Sequence, residues 1–189
     1  MAQATQTVEK KGFSEDIALP QGVTASLDGP VLVIRGKSGE LRYSFLSKKV
    51  SIGVEGNAIR ITAKFNDKPT KKLFGSVRAH IKNKIAGVQE PHTYEMKICS
   101  GHFPMNVEVK GQEFIIRNFF GEKIPRTVRI HDGVKVEVKG QEVFVTSVDI
   151  ELAGRTAAAI EQRTKRANFD RRIFQDGIYI TKKAGRRNE

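Results

Sequence analysis

Hydrophobic positions along this chain change their period, and the change happens twice. From Ile17 to Lys64 apolar residues come in short β-rich runs such as Val31-Leu32-Val33-Ile34 and Ile59-Arg60-Ile61. Breaks at Gly22, Asp28-Gly29-Pro30, Lys37-Ser38-Gly39 and Glu55-Gly56-Asn57 separate them. Gly allows positive φ there, and Asp, Ser and Asn bond the nearby backbone, so these are turns between strands. Strands joined so closely form antiparallel hairpins. At Asn66-Asp67-Lys68-Pro69 the period lengthens: Leu73, Val77, Ile81 and Ile85 line up with Phe74 and Val88, and Lys68, Lys71, Lys72, Arg78 and Lys82 fall opposite. That spacing predicts an amphipathic helix. Asp67 is placed as its N-cap, Pro69 lies in its first turn, and Gly87 is expected to end it.

The same succession recurs about eighty positions later, which marks a duplicated unit. Gly29, Ile34-Arg35 and Gly39-Glu40 return as Gly111, Ile116-Arg117 and Gly121-Glu122. Val54-Glu55-Gly56-Asn57 returns as Val138-Lys139-Gly140-Gln141, and Leu73, Gly75 and Ile81 as Leu152, Gly154 and Ile160. In the second copy strands are expected near 93–98, 106–109, 113–117, 127–130, 134–138 and 141–146. A helix should follow, starting between Thr146 and Asp149 and running to about Arg166. The predicted class is α+β: two tandem duplicated domains, each an antiparallel β-sheet with one α-helix packed on one face. The boundaries are a leader over residues 1–12, a first domain over 13–89, a second over 90–181 and a basic tail over 182–189. An interior helical glycine costs about 1 kcal/mol against alanine, so Gly75 and Gly154 predict close approach of helix and sheet in both copies.

Charge adds a partner to this picture. The 189 residues carry a net charge of +12, from 33 basic and 21 acidic side chains. Residues 68–89 hold six basic side chains and no acid, and residues 155–189 hold ten against four acids. A positive field of this kind draws in polyanions. The C-terminal stretch also interleaves Arg171, Arg172, Lys182, Lys183, Arg186 and Arg187 with Phe169, Phe174 and Tyr179. Cations bind phosphates, while aromatic rings and guanidinium planes stack on unpaired bases, a mixture suited to folded RNA. The alternative for each basic face is a solvated surface, and for Phe174 it is ordinary core. The single cysteine, Cys99, excludes an internal disulfide framework. The polar start is not expected to be a signal peptide, and no apolar run is long enough to span a bilayer.

Other chemistry does not assemble. Gly36-Lys37-Ser38 resembles the end of a phosphate-binding loop, but Val31 stands where that motif needs its first glycine, and the setting is strand to strand. It reads as a hairpin turn. Cys99, His92 and His102 lack the further ligands of a structural zinc site. No nucleophile–base or acid–base pair stands out, so neither catalysis nor a cofactor is expected.

Two long motifs are more specific. Asn118-Phe119-Phe120-Gly121-Glu122-Lys123-Ile124-Pro125-Arg126 and Arg172-x-Phe174-x-Asp176-Gly177-Ile178-Tyr179-Ile180 resemble the sixth protein of the large ribosomal subunit (numbered nine in the eukaryotic scheme). The form resembled is archaeal and eukaryotic, the Ile124-Pro125-Arg126 continuation being more archaeal. The likeness spans about residues 12–183 and includes Ser100-Gly101-His102-Phe103-Pro104 and Asp149-Ile150-Glu151-Leu152. Ser147-Val148 departs from it, since the family often has Gly-Asn there. The resemblance implies a non-catalytic, cytoplasmic rRNA-binding protein, bound mainly through its second domain, near the sarcin–ricin loop and the stalk base. Implied partners are large-subunit rRNA and neighbouring ribosomal proteins, with translational GTPases close by, and neither a membrane nor a small-molecule substrate. The residues expected to meet rRNA are Lys123, Arg126, Arg155, Arg163, Lys165, Arg166, Arg171, Arg172, Tyr179, Lys182, Lys183, Arg186 and Arg187. The first-copy face of Lys68, Lys71, Lys72, Arg78 and Lys82 is secondary. At least one of Phe119 and Phe120 is expected to pack at the edge of the protein, against the second helix or the interdomain face; the alternative is that both are ordinary core of the second copy. The rival reading is a free-standing RNA- or DNA-binding module of the same duplicated fold.

Overall fold

The computed structural model describes residues 12–170 and 172–185, so the expected leader lies almost wholly outside the described residues. The chain divides into two units, Met1–Gln89 and Glu90–Glu189. The first holds β1 (Phe13–Ala18), β2 (Thr24–Asp28), β3 (Val31–Gly36), β4 (Gly39–Ser44), β5 (Val50–Glu55), β6 (Ala58–Ala63) and α1 (Lys68–Gln89). Its strands are antiparallel, in the orders β1-β6-β5 and β2-β3-β4. The unit is α+β as expected, with its strands divided between two sheets and α1 packed on strands of both. The chain changes sheet between β1 and β2 and again between β4 and β5, on either side of the hairpins that the turn residues announce.

Helix α1 keeps the predicted face. Phe74, Val77, Ile81, Ile85 and Val88 are buried, and the helix packs on β3 and β6, whose Leu32, Ile34, Ile59 and Ile61 are buried as well. Asp67 caps its start, its carboxylate accepting the Thr70 N–H at 3.3 Å. The end differs from expectation, because Gly87 lies inside the helix, which continues to Gln89. The β3–β4 turn is the reason. The Ser38 N–H donates to the Val88 carbonyl at 2.9 Å and the Ser38 hydroxyl to the Gln89 carbonyl at 3.1 Å. These bonds satisfy acceptors that a helix end otherwise leaves open. Gly36-Lys37-Ser38 is thus a hairpin turn docked on a helix terminus, and a Cβ on Gly36 would lie 2.7 Å from the Val88 carbonyl oxygen.

The second unit repeats the plan with β7 (His92–Cys99), β8 (Asn106–Lys110), β9 (Glu113–Arg117), a 3₁₀ turn at Phe119–Gly121, β10 (Arg126–Arg129), β11 (Val134–Lys139), β12 (Glu142–Ser147), α2 (Ile150–Arg163) and β13 (Gly177–Lys182). The chain changes sheet at the corresponding points, giving β10-β9-β8 and β11-β12-β7-β13. The two-residue loops Gly56-Asn57 and Gly140-Gln141 correspond, with φ of 56° and 62° at their glycines. Strand β13, which has no counterpart among the described residues of the first unit, pairs antiparallel with β7. It covers an edge whose backbone groups would otherwise be unpaired.

Asp149 is the N-cap of α2, accepting the Glu151 N–H at 3.0 Å. Ser147 accepts the Asp149 N–H and donates to the Gly133 carbonyl, so the departure at that position supplies its own turn bonds. The helix stops at Arg163, short of Arg166, where Thr164 is drawn inward and its hydroxyl accepts the Ile178 N–H. The two helical glycines behave differently. A Cβ on Gly154 would sit 2.9 Å from the Tyr94 hydroxyl on β7, whereas nothing lies within 4 Å of one on Gly75. Close approach is present in the second copy only.

Candidate nucleic-acid interface

In the second unit three segments distant in sequence are fastened at one place. Asp176, 6% exposed, accepts the backbone N–H groups of Gly101 and His102, the latter at 3.3 Å. The His102 ring Nδ1 lies 3.2 Å from the same carboxylate. A buried carboxylate is tolerable only when so bonded. The Asn118 amide donates to the Pro104 carbonyl at 2.9 Å, and Thr164 bonds the start of β13. The loop 100–104, the end of α2 and the segment before β13 are therefore held rigidly together.

Aromatic rings gather beside this joint. Phe119 is buried in the core of the unit. Phe120 is half-buried and adopts φ 49°, ψ 33°, a left-handed conformation that costs a bulky residue roughly 1–2 kcal/mol. Its ring lies 5.9 Å from Phe169 and 6.1 Å from Phe174, and Phe169 and Phe174 meet edge to face at 5.0 Å. Phe120 thus packs partly on the core and partly against the segment that follows α2, whereas the contact expected from the sequence is with the second helix or the interdomain face. Arg166 lies over this cluster, its guanidinium carbon 4.3 Å from the centre of Phe169 and 5.5 Å from that of Phe120. Phe120, Phe169 and Phe174 line a shallow pocket together with Lys165, Arg166 and Tyr179.

Arg126, expected to face rRNA, is bonded within the fold. Its Nε and Nη2 donate to Glu122 at 2.8 and 2.6 Å, and its Nη1 donates to the Arg163 carbonyl at 2.7 Å. Its guanidinium also covers Phe119 at 4.4 Å. The side chain is 21% exposed. It closes the end of α2 as Ser38 closes that of α1, so its charge is spent within the fold. The Arg126 hydrogen bonds hold the Glu122 carboxyl below its ordinary range against the opposing effect of burial, and the charges of Arg126, Arg166 and Arg163 pull it the same way. Arg163 and Arg166 therefore share one electrostatic neighbourhood with Arg126.

The other predicted residues divide. Lys123, Arg155, Arg163, Arg166 and Lys183 are exposed, as is Lys165, whose Nζ lies 4.0 Å from Glu161. Arg172 is exposed with its Nε 3.4 Å from Asp170, Lys182 bonds Glu95 on β7 at 2.9 Å, and Tyr179 is half-buried on β13. Arg171, Arg186 and Arg187 lie outside the described residues. In the first unit Lys68, Lys71, Lys72 and Lys82 are exposed, but Arg78 is tied to Glu15 on β1 at 2.7 Å. Sequence reasoning missed Asp176 as the anchor, since its partner His102 stands 74 positions away. It also missed the Arg166 platform, for no spacing rule links residues 120, 166 and 169.

The profile of the ribosomal protein L6 family matches residues 19–91 and again 103–177. The chain belongs to this family. The two matches fall on the two units in turn, so the family pattern itself is present twice. A large ribosomal subunit protein uL6 from Aeropyrum pernix is 44% identical over 167 residues, covering 88% of this chain and 92% of that relative. Ribosomal protein L6 is a structural, non-enzymatic family, in keeping with an interface made of fastened loops, rings and cations.

Proposed function

We propose that this chain, a structural constituent of the large subunit of the cytoplasmic ribosome, holds large-subunit rRNA mainly through its second unit. The proposed place is near the sarcin–ricin loop and the stalk base, where translational GTPases dock and other ribosomal proteins adjoin. The observation that carries the reading is the set of exposed cations on a pinned frame. Arg163, Lys165 and Arg166 project from the end of α2, and Lys123 from the loop beside it. That loop and helix end are locked by Arg126, and the neighbouring loop and β13 by Asp176. Rigid cations neutralise phosphates where rRNA segments crowd, and such contacts position a protein without reading sequence. The resemblance of the two long motifs supports the location.

Directed cleavage tests the location. With Cys99 replaced by serine and Lys123 by cysteine, an iron chelate tethered at position 123 should cut rRNA around the sarcin–ricin loop in reconstituted subunits. Cuts confined to other regions would refute the placement. A free-standing RNA- or DNA-binding module would instead stay at the top of a sucrose gradient while subunits sediment.

A further inference from the structure

We infer that the outer face of the Arg166 guanidinium is a stacking site for one unpaired RNA base, backed by Phe169 and Phe120. The inference rests on the reading that the second unit holds rRNA, and it names the chemistry of one contact within it. Arg60, Arg78, Arg117 and Arg126 all face carboxylates at 2.6–2.9 Å. Arg166 makes no such short contact: its charge reaches Glu122 from farther off, and its guanidinium lies over two rings, at 4.3 and 5.5 Å. A guanidinium within about 6 Å of a ring centre is held by the ring's negative face. Its own faces are planar and weakly hydrated, so it stacks readily on a second π-system. Phe169 and Phe120 thus immobilise a side chain that would otherwise lose rotamer freedom on binding, and that pre-organisation favours affinity.

Three further observations point the same way. The platform is assembled at a conformational cost, since the bulky Phe120 takes a left-handed φ of 49°. Strain held in a packed structure is commonly a mark of a binding surface. Apolar surface stays open beside the guanidinium, with Phe169 37% exposed. A flat base covers such surface, whereas a phosphate does not. Finally, the exposed cations Arg163 and Lys165 stand in the same stretch of chain, placed for the phosphates on either side of a base splayed from its strand. Splayed bases stacked on aromatic or guanidinium planes are the usual mode of contact with unpaired RNA.

Two substitutions separate stacking from charge. Arg166→Lys keeps the charge and removes the plane, and Phe169→Leu removes the supporting ring while keeping every charge and donor. In filter-binding titrations against transcribed large-subunit rRNA, each should weaken affinity by about tenfold, within the range for one stacked base. The slope of log affinity against log salt should stay that of the wild type, because no phosphate contact is lost. Melting temperatures of the free variants check that the fold survives. Photo-crosslinking of the unaltered protein, read by mass spectrometry, needs no variant: the peptide carrying Arg166 and Phe169 should bear a nucleotide from an unpaired position. Phe169→Leu binding like wild type, with Arg166→Lys weakened, would mean a phosphate contact and overturn the proposal. A crosslink from that peptide to a paired nucleotide, or to none, would overturn it as well. Wild-type protein that holds the rRNA no better than an unrelated RNA of equal length would sink the broader reading, and this one with it.

Discussion

Glu122 accepts from both Nε and Nη2 of Arg126, and Arg166 and Arg163 add their charge to the same neighbourhood. Its carboxyl is therefore ionised more easily in the folded protein than at its ordinary value of 4.5. A carboxyl lowered on folding contributes stability above its unfolded value, and that contribution is lost as pH falls through the folded value. Glu122→Gln should accordingly lower the melting temperature at neutral pH. The gap to wild type should close progressively below about pH 4.5, where the unfolded carboxyl takes up its proton first. A gap that stays constant down to acid pH would show that the Arg126 contact acts through packing on Phe119 and not through the carboxylate's charge. The same residues explain why a basic side chain in a recognisable motif need not face a ligand. Arg126 closes a helix and holds an acid, and the surface charge is left to Lys123, Arg163, Lys165 and Arg166.

Each helix meets its sheets in its own way, although the two descend from one pattern. Helix α1 buries large side chains, Phe74, Val77, Ile81 and Ile85, which hold it off the strands. Helix α2 buries Ala153, Thr156, Ala157 and Ile160, and its Gly154 comes against Tyr94. Small residues let a helix sit lower, and the Tyr94 hydroxyl fills the room the glycine leaves. Gly75→Ala should therefore raise stability by up to about 1 kcal/mol, the ordinary gain for a helix interior. Gly154→Ala should lose that gain, or reverse it, because the Tyr94 ring must shift to admit the methyl. Urea titrations followed by circular dichroism compare the two directly. Equal stabilisation by both would show that Tyr94 moves at no cost. The helix ends also differ. A turn hydroxyl and N–H close α1, while a guanidinium from the corresponding loop region closes α2. Two aromatics in place of Lys37-Ser38 leave no hydroxyl at that turn, so the second unit closes its helix by another route.

Across the whole chain, charge and architecture are distributed unequally. The second unit alone carries β13, the ring cluster and the Asp176 joint, and its exposed cations stand on a rigid frame. The first unit offers four exposed lysines along one helix and ties Arg78 to Glu15. Reversing Lys72 and Lys82 to glutamate should leave incorporation into large subunits nearly unchanged, whereas reversing Arg163 and Lys165 should deplete the protein from them. The second pair should also flatten the salt dependence of rRNA binding, by roughly 0.7 to 0.9 in log–log slope per lost phosphate contact. Equal depletion by both pairs, with both proteins folded, would show that the first helix binds as strongly as the second unit. The duplicated plan, the turn positions, the buried face of the first helix and the basic bias were legible in the sequence alone. All of these rest on local rules: the period of apolar residues, the turn chemistry of Gly, Asn and Asp, and a count of charges. The division of each unit into two sheets was not legible, because a strand's partner is chosen by packing and not by its own residues. Nor was the fate of individual cations. Arg78 and Arg126 are spent on carboxylates and Arg166 on rings, and these partners lie 3 to 63 positions away in the chain. Asp176, its loop partner 74 positions distant, and the contrast between Gly75 and Gly154 likewise appear only once helix and sheet are in contact. Whether a charge is free, or a glycine crowded, depends on what the fold brings beside it.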